Sequence, residues 1–507
     1  MAKPIVFLTG ATGVMGSQAL ERMACHTDCY HTIVLVRDSK KNRKKLEPYK
    51  NKSGIEICWG DLCDYETVAK CVAKADLILH AAVYIYPQPN FDPAKAMRIN
   101  YGSTKNLLRA IVEQGRERSC KFVYIGTVAE TGDRMPPIHW GRVGDPIKPS
   151  MFDYYAVSKV AAERLVVESE LKYWAVLRQT GIIGPTMAKV ADPVMFHNCF
   201  DNVLEYVSDR DSGILLEHLA RYEAEGKLNG DFWEHIYNIG GGESCRVSTA
   251  EMYNRLYGEL GFRDLSYILK PKMQATRNFH GQYYLDSDKL ENYLHFQNDS
   301  MEYFYKEYLK NLGIIAPLAK KICKIPGGQL LMGKIISGTF GKLAREEDGT
   351  ERFITDNVED HIDAFWGSRK AWEKMPKKYR ELTHFPYWKN VVHIDHGYDE
   401  SKPESALSLD DVKGAAIFRG GECISDSMET GDWRTKLRFR CAFGHEFDAS
   451  PRLILQGGHW CDLCERKSWN YGQRAKVDKF FAQVWDPLHE SDEMREYPKI
   501  VSELDVE

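Results

Sequence analysis

Residues 5–16 read IVFLTGATGVMG. The run from Ile5 to Thr9 is short, apolar and rich in strand-forming residues, and a helical stretch follows from Gly13. Between them Gly10, Gly13 and Gly16 stand three apart. A Cβ at the turn would block the close approach of a pyrophosphate to the backbone amides and positive end of the helix. A glycine triplet also arises as a ligand-free turn. A strand before it and a helix after it favour a dinucleotide, held by Gly10, Thr12, Gly13, Val14, Met15 and Gly16.

The same rhythm continues outward. TIVLVR, IEICWG, LILHAA, KFVYIG and WAVLRQ are strand-like runs, separated by helical stretches from Tyr65, Asn100 and Tyr154. Parallel strands require such crossovers, so residues 1–180 are expected to form an α/β, doubly wound parallel sheet. Residues 181–315 are more irregular, with a late strand at HIYNIG, and are assigned to a smaller substrate-binding part. Residues 316–405 are a helical or linker region without an assigned role. Residues 406–507, which open within the polar stretch DESKPESALSLDD, are expected to form a separate short C-terminal domain.

At 507 residues the chain is long enough for two or three domains. Its net charge of −4 gives no global reason for nucleic acid or an anionic surface as partner. Thirteen scattered cysteines indicate reduced thiols rather than a disulfide framework. With no leader-like start and no run of about 18 apolar residues, the expectation is a cytoplasmic protein with no membrane contact. The nearest membrane-like signal, residues 325–343, is broken by five glycines and reads as a packed turn and helix.

The second strand ends in VRDSKKNRKK. A base in this position neutralises a ribose 2′-phosphate, whereas an acid binds the 2′-hydroxyl. Arg37, followed by Lys40, Lys41 and Arg43, points to NADP, and Asp38 keeps NAD open. Asp61 and Leu62, after the third strand, are placed for the adenine edge. Ala81 and Ala82, after the fourth, offer small side chains beside the cofactor. In YYAVSK, Tyr155 and Lys159 are four apart and share one helical face. An ammonium beside a phenol favours the phenolate and makes tyrosine a usable acid or base.

Taken in order, TGATGVMG, GDL, HAA, NYGSTKNLL, VYIGTVAETG and YYAVSK resemble the extended short-chain dehydrogenase/reductase family, which includes the NAD-dependent epimerases and dehydratases. The likeness runs over about residues 3–315 and implies a Rossmann sheet. It also implies a third catalytic group, Thr127, to hold the substrate oxygen, and a role for Asn100 in structure or proton relay, with helix capping as the plainer alternative. Lys159 would also hold the cofactor ribose. The family further implies a homodimer through the helices flanking Tyr155. Where nucleotide-sugar enzymes carry a sugar-diphosphate signature, this chain reads RQTG from Arg178. The expectation is therefore an NAD(P)-dependent alcohol/carbonyl oxidoreductase acting on a small, fairly apolar molecule, with Tyr84, Tyr86 and Met187 as candidate pocket residues. The alternatives are a nucleotide-sugar epimerase or dehydratase with tightly held NAD, and a redox-sensing or nucleic-acid-binding regulator.

Near the C-terminus, RFRCAFGHEF and GGHWCDLC place Cys441, His445, Cys461 and Cys464 as two closely spaced ligand pairs. Four such ligands close a tetrahedral zinc shell and leave no open catalytic position. The segment looks like a zinc-ribbon or treble-clef module, with His459 and Cys423 as substitute ligands. Any nucleic-acid partner would bind through this basic module alone.

Overall fold

The computed structural model describes residues 3–185, 187, 192–384 and 390–500. Seven parallel strands form the central sheet: β1 (Ile5–Thr9), β2 (His31–Val36), β3 (Ile55–Trp59), β4 (Leu77–His80), β5 (Lys121–Thr127), β6 (Trp174–Gln179) and β7 (His235–Ile239). Their order is β7-β6-β5-β4-β1-β2-β3. β1 pairs on one side with β2 (Val6 opposite Thr32) and on the other with β4 (Val6 opposite Leu77). The strand order reverses there, and the crevice at such a switch point is where doubly wound sheets bind ligands.

Helices cover both faces, so the strands are apolar on both sides rather than alternating. On one face α1 (Val14–Met23) and α6 (Asp209–Ala224) bury Ala19, Leu20, Met23, Leu215, Leu216 and Leu219. On the other, α3 (Tyr65–Val72), α4 (Gly102–Glu113) and α5 (Tyr154–Val167) bury Val68, Val72, Leu107, Ile111 and Val166. The remaining crossover helix, α2 (Lys40–Leu46), follows β2. β7 comes from the stretch assigned to the substrate-binding part, yet it lies in this sheet beside β6. It joins because its apolar residues Ile236 and Ile239 enter the two cores.

The C-terminal residues share the sheet's core. Leu407, Val412, Trp433, Phe439, Phe447, Leu453 and Trp460 are continuous with the apolar cluster under α3–α5. Strands β8 (Glu422–Cys423), β9 (Leu437–Arg440) and β10 (Glu446–Ala449) form a small antiparallel sheet there. α5 is buried on nearly every side, because the C-terminal residues lie against it. A dimer built across α5 would have to displace them. No helix among the described residues is long and apolar enough to cross a membrane.

Candidate active site and candidate metal centre

The glycine loop is closed by contacts that exclude side chains. Gly10 has φ +74°, and a Cβ there would lie 2.7 Å from the backbone of Ala81 and Ala82. A Cβ on Gly16 would lie 2.2 Å from the Gly10 carbonyl oxygen. At Gly13 a Cβ would meet only that same oxygen, at 3.2 Å, so beyond it the loop opens to free space. Gly13 and Val14 are exposed and no side chain caps α1, which leaves its first N–H groups free for an anion. Ala81, Ala82, Leu62 and Asp61 line the neighbouring strand ends, half-buried or exposed. The loop therefore fits a dinucleotide pyrophosphate.

Past β2, Arg37 is exposed. Asp38 is held by two bonds from Arg43, each 2.6 Å, and the Arg43 guanidinium lies 4.8 Å over the Trp59 ring. The acid that kept NAD open is thus already paired, while the Arg37 side chain faces solvent. Lys45 donates to the Thr12 carbonyl at 2.6 Å and braces the loop.

The three expected catalytic side chains converge at the ends of β5 and α5. Thr127 ends β5 and caps the next turn, its hydroxyl accepting from the Ala129 N–H at 3.2 Å. Glu130 completes the capping box by accepting from the Thr127 N–H at 3.0 Å. Tyr155 lies in the first turn of α5, its phenol close enough to the Thr127 hydroxyl to be influenced by it. Burial raises its phenol above the usual range, and the Thr127 hydroxyl works in the opposite direction. The expected lowering by Lys159 is absent, because that ammonium donates to the Ile125 carbonyl at 2.6 Å and lies 4.0 Å over the Tyr124 ring. Burial in turn pulls Lys159 down to about 8, against Glu130 and Glu163, which raise it.

Asn100 does not cap a helix. It accepts from the Tyr84 N–H at 2.7 Å and donates to the Tyr84 carbonyl and the Ser158 hydroxyl at 3.0 and 2.8 Å, tying the loop after β4 to α5. Of the candidate pocket residues, Tyr86 packs its ring 4.9 Å from Tyr155. Tyr84 lies under Lys95, and Met187 packs against the apolar cluster around Phe200.

Several side chains at the site carry no motif. Asp153 caps α5 by accepting from the Ala156 N–H at 2.8 Å, and, after burial, its charge raises the Tyr86 phenol. His280 stacks on Tyr86 at 5.9 Å. Asp348 accepts from Asn90 at 2.6 Å, and its carbonyl meets His197 at 2.7 Å. His361 stacks on Phe152 at 4.1 Å. Residues from the region without an assigned role thus lie against Asn90 and Phe152, in the neighbourhood of Tyr86 and Tyr155. Of the side chains without a motif, only Asp153 carries a local signal that could have pointed to it, an aspartate directly before a helical stretch as a cap.

Beneath the site, Arg178 is fully buried and binds Glu163 at 2.5 Å and the Gly457 carbonyl at 2.7 Å. Glu163 follows Tyr155 and Lys159 on the same face of α5, two turns on. Burial and the neighbouring Glu163 hold the Glu130 carboxyl well above its ordinary range, whereas Arg178 keeps Glu163 ionised. His459, expected as a substitute zinc ligand, instead meets Glu163 at 3.2 Å and Glu465 at 3.5 Å.

Cys441, His445, Cys461 and Cys464 come together with their ligand atoms within 4.8 Å of one another. Zinc bond lengths imply tetrahedral edges of about 3.8 Å between sulfurs and about 3.6 Å between sulfur and nitrogen. Cys441 to Cys464 is 3.9 Å, and His445 Nδ1 lies 3.5, 3.6 and 3.3 Å from Cys441, Cys461 and Cys464. The donor set and its spacing fit a closed zinc shell. Gly444 (φ +80°) makes the knuckle turn, donating to the Cys441 carbonyl at 2.9 Å. Cys423 lies in the apolar core instead.

Residues 6–198 match the NAD dependent epimerase/dehydratase family. A hybrid PKS-NRPS synthetase of Thermothelomyces thermophilus is 28% identical over 208 residues, covering 36% of this chain and 5% of that protein. The GDP-6-deoxy-D-mannose reductase of Pseudomonas aeruginosa is 34% identical over 185 residues, 36% of this chain and 53% of the reductase. The 3 beta-hydroxysteroid dehydrogenase/Delta 5-->4-isomerase of vaccinia virus is 25% identical over 195 residues, 35% of this chain and 52% of the viral protein. The chain thus spans about half or less of the length of these relatives. Among solved structures, a dTDP-glucose 4,6-dehydratase from Streptomyces venezuelae with NAD bound aligns at 22% identity and a TM-score of 0.49, over 62% of this chain and 99% of the dehydratase.

Proposed function

We propose that the chain is an NADP-preferring oxidoreductase that interconverts an alcohol and a carbonyl on a small, fairly apolar substrate. The observation that carries this reading is the convergence of Tyr155, Thr127 and Lys159 beside a glycine loop fitted to a dinucleotide. The nicotinamide would supply or accept the hydride. Thr127 holds the substrate oxygen, Tyr155 gives or takes the hydroxyl proton, and the aromatic cover around Tyr86 keeps water out. Exposed Arg37, with Asp38 already paired to Arg43, supports NADP.

The nucleotide-sugar alternative is less well supported. Arg178, at the place where such enzymes hold their sugar diphosphate, is enclosed by Glu163 and the Gly457 carbonyl and cannot reach a ligand. The steroid-acting relative is consistent with an apolar substrate. The test is a panel of apolar alcohols and carbonyls, followed by nicotinamide absorbance with NADPH and NADH in parallel. Oxidation of NADPH by an apolar carbonyl is the expected outcome. Preference for NADH would remove the role given to Arg37, and cofactor that stays bound through turnover would favour the sugar-nucleotide reading.

Lys159 makes cofactor binding dependent on pH. Below about 8 it is an ammonium, and above that an amine, because burial disfavours its charge. Affinity for the cofactor is expected to weaken roughly tenfold between pH 7 and 9, the worth of one charged hydrogen bond. Lys159→Met should flatten that profile in a fluorescence titration; an unchanged slope would show that another group titrates.

The C-terminal cluster is proposed to hold one structural zinc on Cys441, His445, Cys461 and Cys464. Metal analysis of the purified chain should find one zinc per chain, and none in the Cys464→Ser variant. A wild-type protein isolated without zinc would remove this assignment.

A further inference from the structure

Two helices, α7 (Ile315–Cys323) and α8 (Gly328–Leu343), form a hairpin from the region without an assigned role. Their inner faces pack on the body: Ala316, Ala319 and Cys323 are buried, and Gly333 lies directly on the Tyr267 backbone. Their outer faces carry large aliphatic side chains in solvent. Ile314 is 85% exposed, Ile325 61%, Leu331 58% and Ile335 58%, with Ile315, Leu318 and Leu330 also more than half exposed. Single exposed aliphatics are ordinary, but seven on one hairpin mark a contact surface.

The charge pattern identifies the partner. From residue 308 to 345 there is no acidic residue, while Lys310, Lys320, Lys321, Lys324, Lys334, Lys342 and Arg345 fall in that stretch, in a chain whose net charge is −4. Among the described residues, ion pairs join Lys310 to Glu307, Lys320 to Glu259 and Arg345 to Glu351. Lys321, Lys324, Lys334 and Lys342 have no acidic partner there. Exposed aliphatics flanked by unpaired lysines match the two layers of a bilayer surface, acyl chains below and anionic head groups above. A second copy of the chain fits poorly, since the lysines would meet like charge.

We propose that the α7–α8 hairpin docks the protein on the surface of an anionic lipid bilayer. Its helices are too short to span one; they lie in the interface. This proposal departs from the expectation of a chain without membrane contact. The hairpin runs on to Asp348, which holds Asn90, and exposed Ile85 and Phe91 flank Tyr86 and Asn90, with Tyr86 packed on Tyr155. An apolar substrate dissolved in the bilayer would then enter beside the docking face.

The experiment is flotation of the full, zinc-loaded chain with two kinds of vesicle, phosphatidylcholine alone and phosphatidylcholine with about one third phosphatidylserine. The chain should float with the anionic vesicles and about tenfold less with the neutral ones, and added salt should release it. The variants Leu330→Ser/Leu331→Ser/Ile335→Ser and Lys321→Glu/Lys324→Glu should each lower the bound fraction about tenfold, with unchanged circular dichroism since every substituted side chain is exposed. Three results would overturn the proposal: wild type that floats with neither vesicle, variants that bind like wild type, or a wild-type dimer in sedimentation that the serine variant splits. Binding is read without turnover, so failure here leaves the hydride-transfer reading untouched.

Discussion

Tyr155→Phe is expected to slow hydride transfer by about 10²–10⁴-fold, the usual worth of a positioned acid or base. The substitution removes one oxygen and keeps the ring that packs 4.9 Å from Tyr86, so the fold and the cofactor loop are left in place. Cofactor affinity, read by fluorescence, should therefore stay nearly unchanged while turnover falls. Thr127 loses the neighbouring phenol oxygen in the variant but keeps its own cap on Ala129, which limits the damage to the proton path. Burial raises the wild-type phenol, so a proton leaves it only when substrate and cofactor supply the compensating charge. Turnover that survived in the phenylalanine variant would overthrow the assignment of Tyr155.

Arg178→Ala is expected to cost about 3–5 kcal/mol of stability, because it leaves a buried carboxylate without its counter-charge. Glu163 loses its closest partner, and the Gly457 carbonyl loses a donor. The loss should depend on pH in a stated direction. Without the guanidinium, burial raises the folded-state pKa of both Glu130 and Glu163 above the unfolded value. Groups shifted that way stabilise the fold at acid pH and lose that contribution as pH rises through the folded value. The variant should thus fall furthest below wild type near neutral pH and less far near pH 5, in denaturant titrations at both. A second substitution, Glu163→Gln, should recover part of the loss; a double variant no better than the single would place the cost elsewhere.

The strands of the Rossmann half were legible because each is a short apolar run beside a turn, and local pattern is all that such a strand needs. The glycine loop was legible for the same reason: its three glycines answer to contacts within a few residues and to Ala81 and Ala82 at the next strand end. The Cys/His cluster was legible as closely spaced pairs, since the knuckle at Gly444 is itself local. Other features were not. HIYNIG reads as a strand, but whether it joins the main sheet depends on its pairing with β6, which adjoins β5. Lys159 reads as Tyr155's partner on a helical face, whereas the strand beneath supplies the carbonyl that takes its ammonium. Asp348 and His361 stand about 200 residues from YYAVSK, with no spacing to announce them.

Local spacing thus carried the separate parts: a glycine loop suited to a dinucleotide, Tyr155 and Lys159 on one helical face, and two closely spaced Cys/His pairs, while Thr127 joined them through the family resemblance. Tertiary structure decided how those parts meet. It placed Arg178 in a buried ion pair rather than in a substrate pocket, and it seated the C-terminal domain against α5 through His459 and Glu465. It also left the α7–α8 hairpin with its aliphatic side chains outward. The physical reason is that burial and ion pairing are properties of the whole packed chain. A lysine, arginine or isoleucine acquires its role from what lies across from it, and those neighbours come from distant segments.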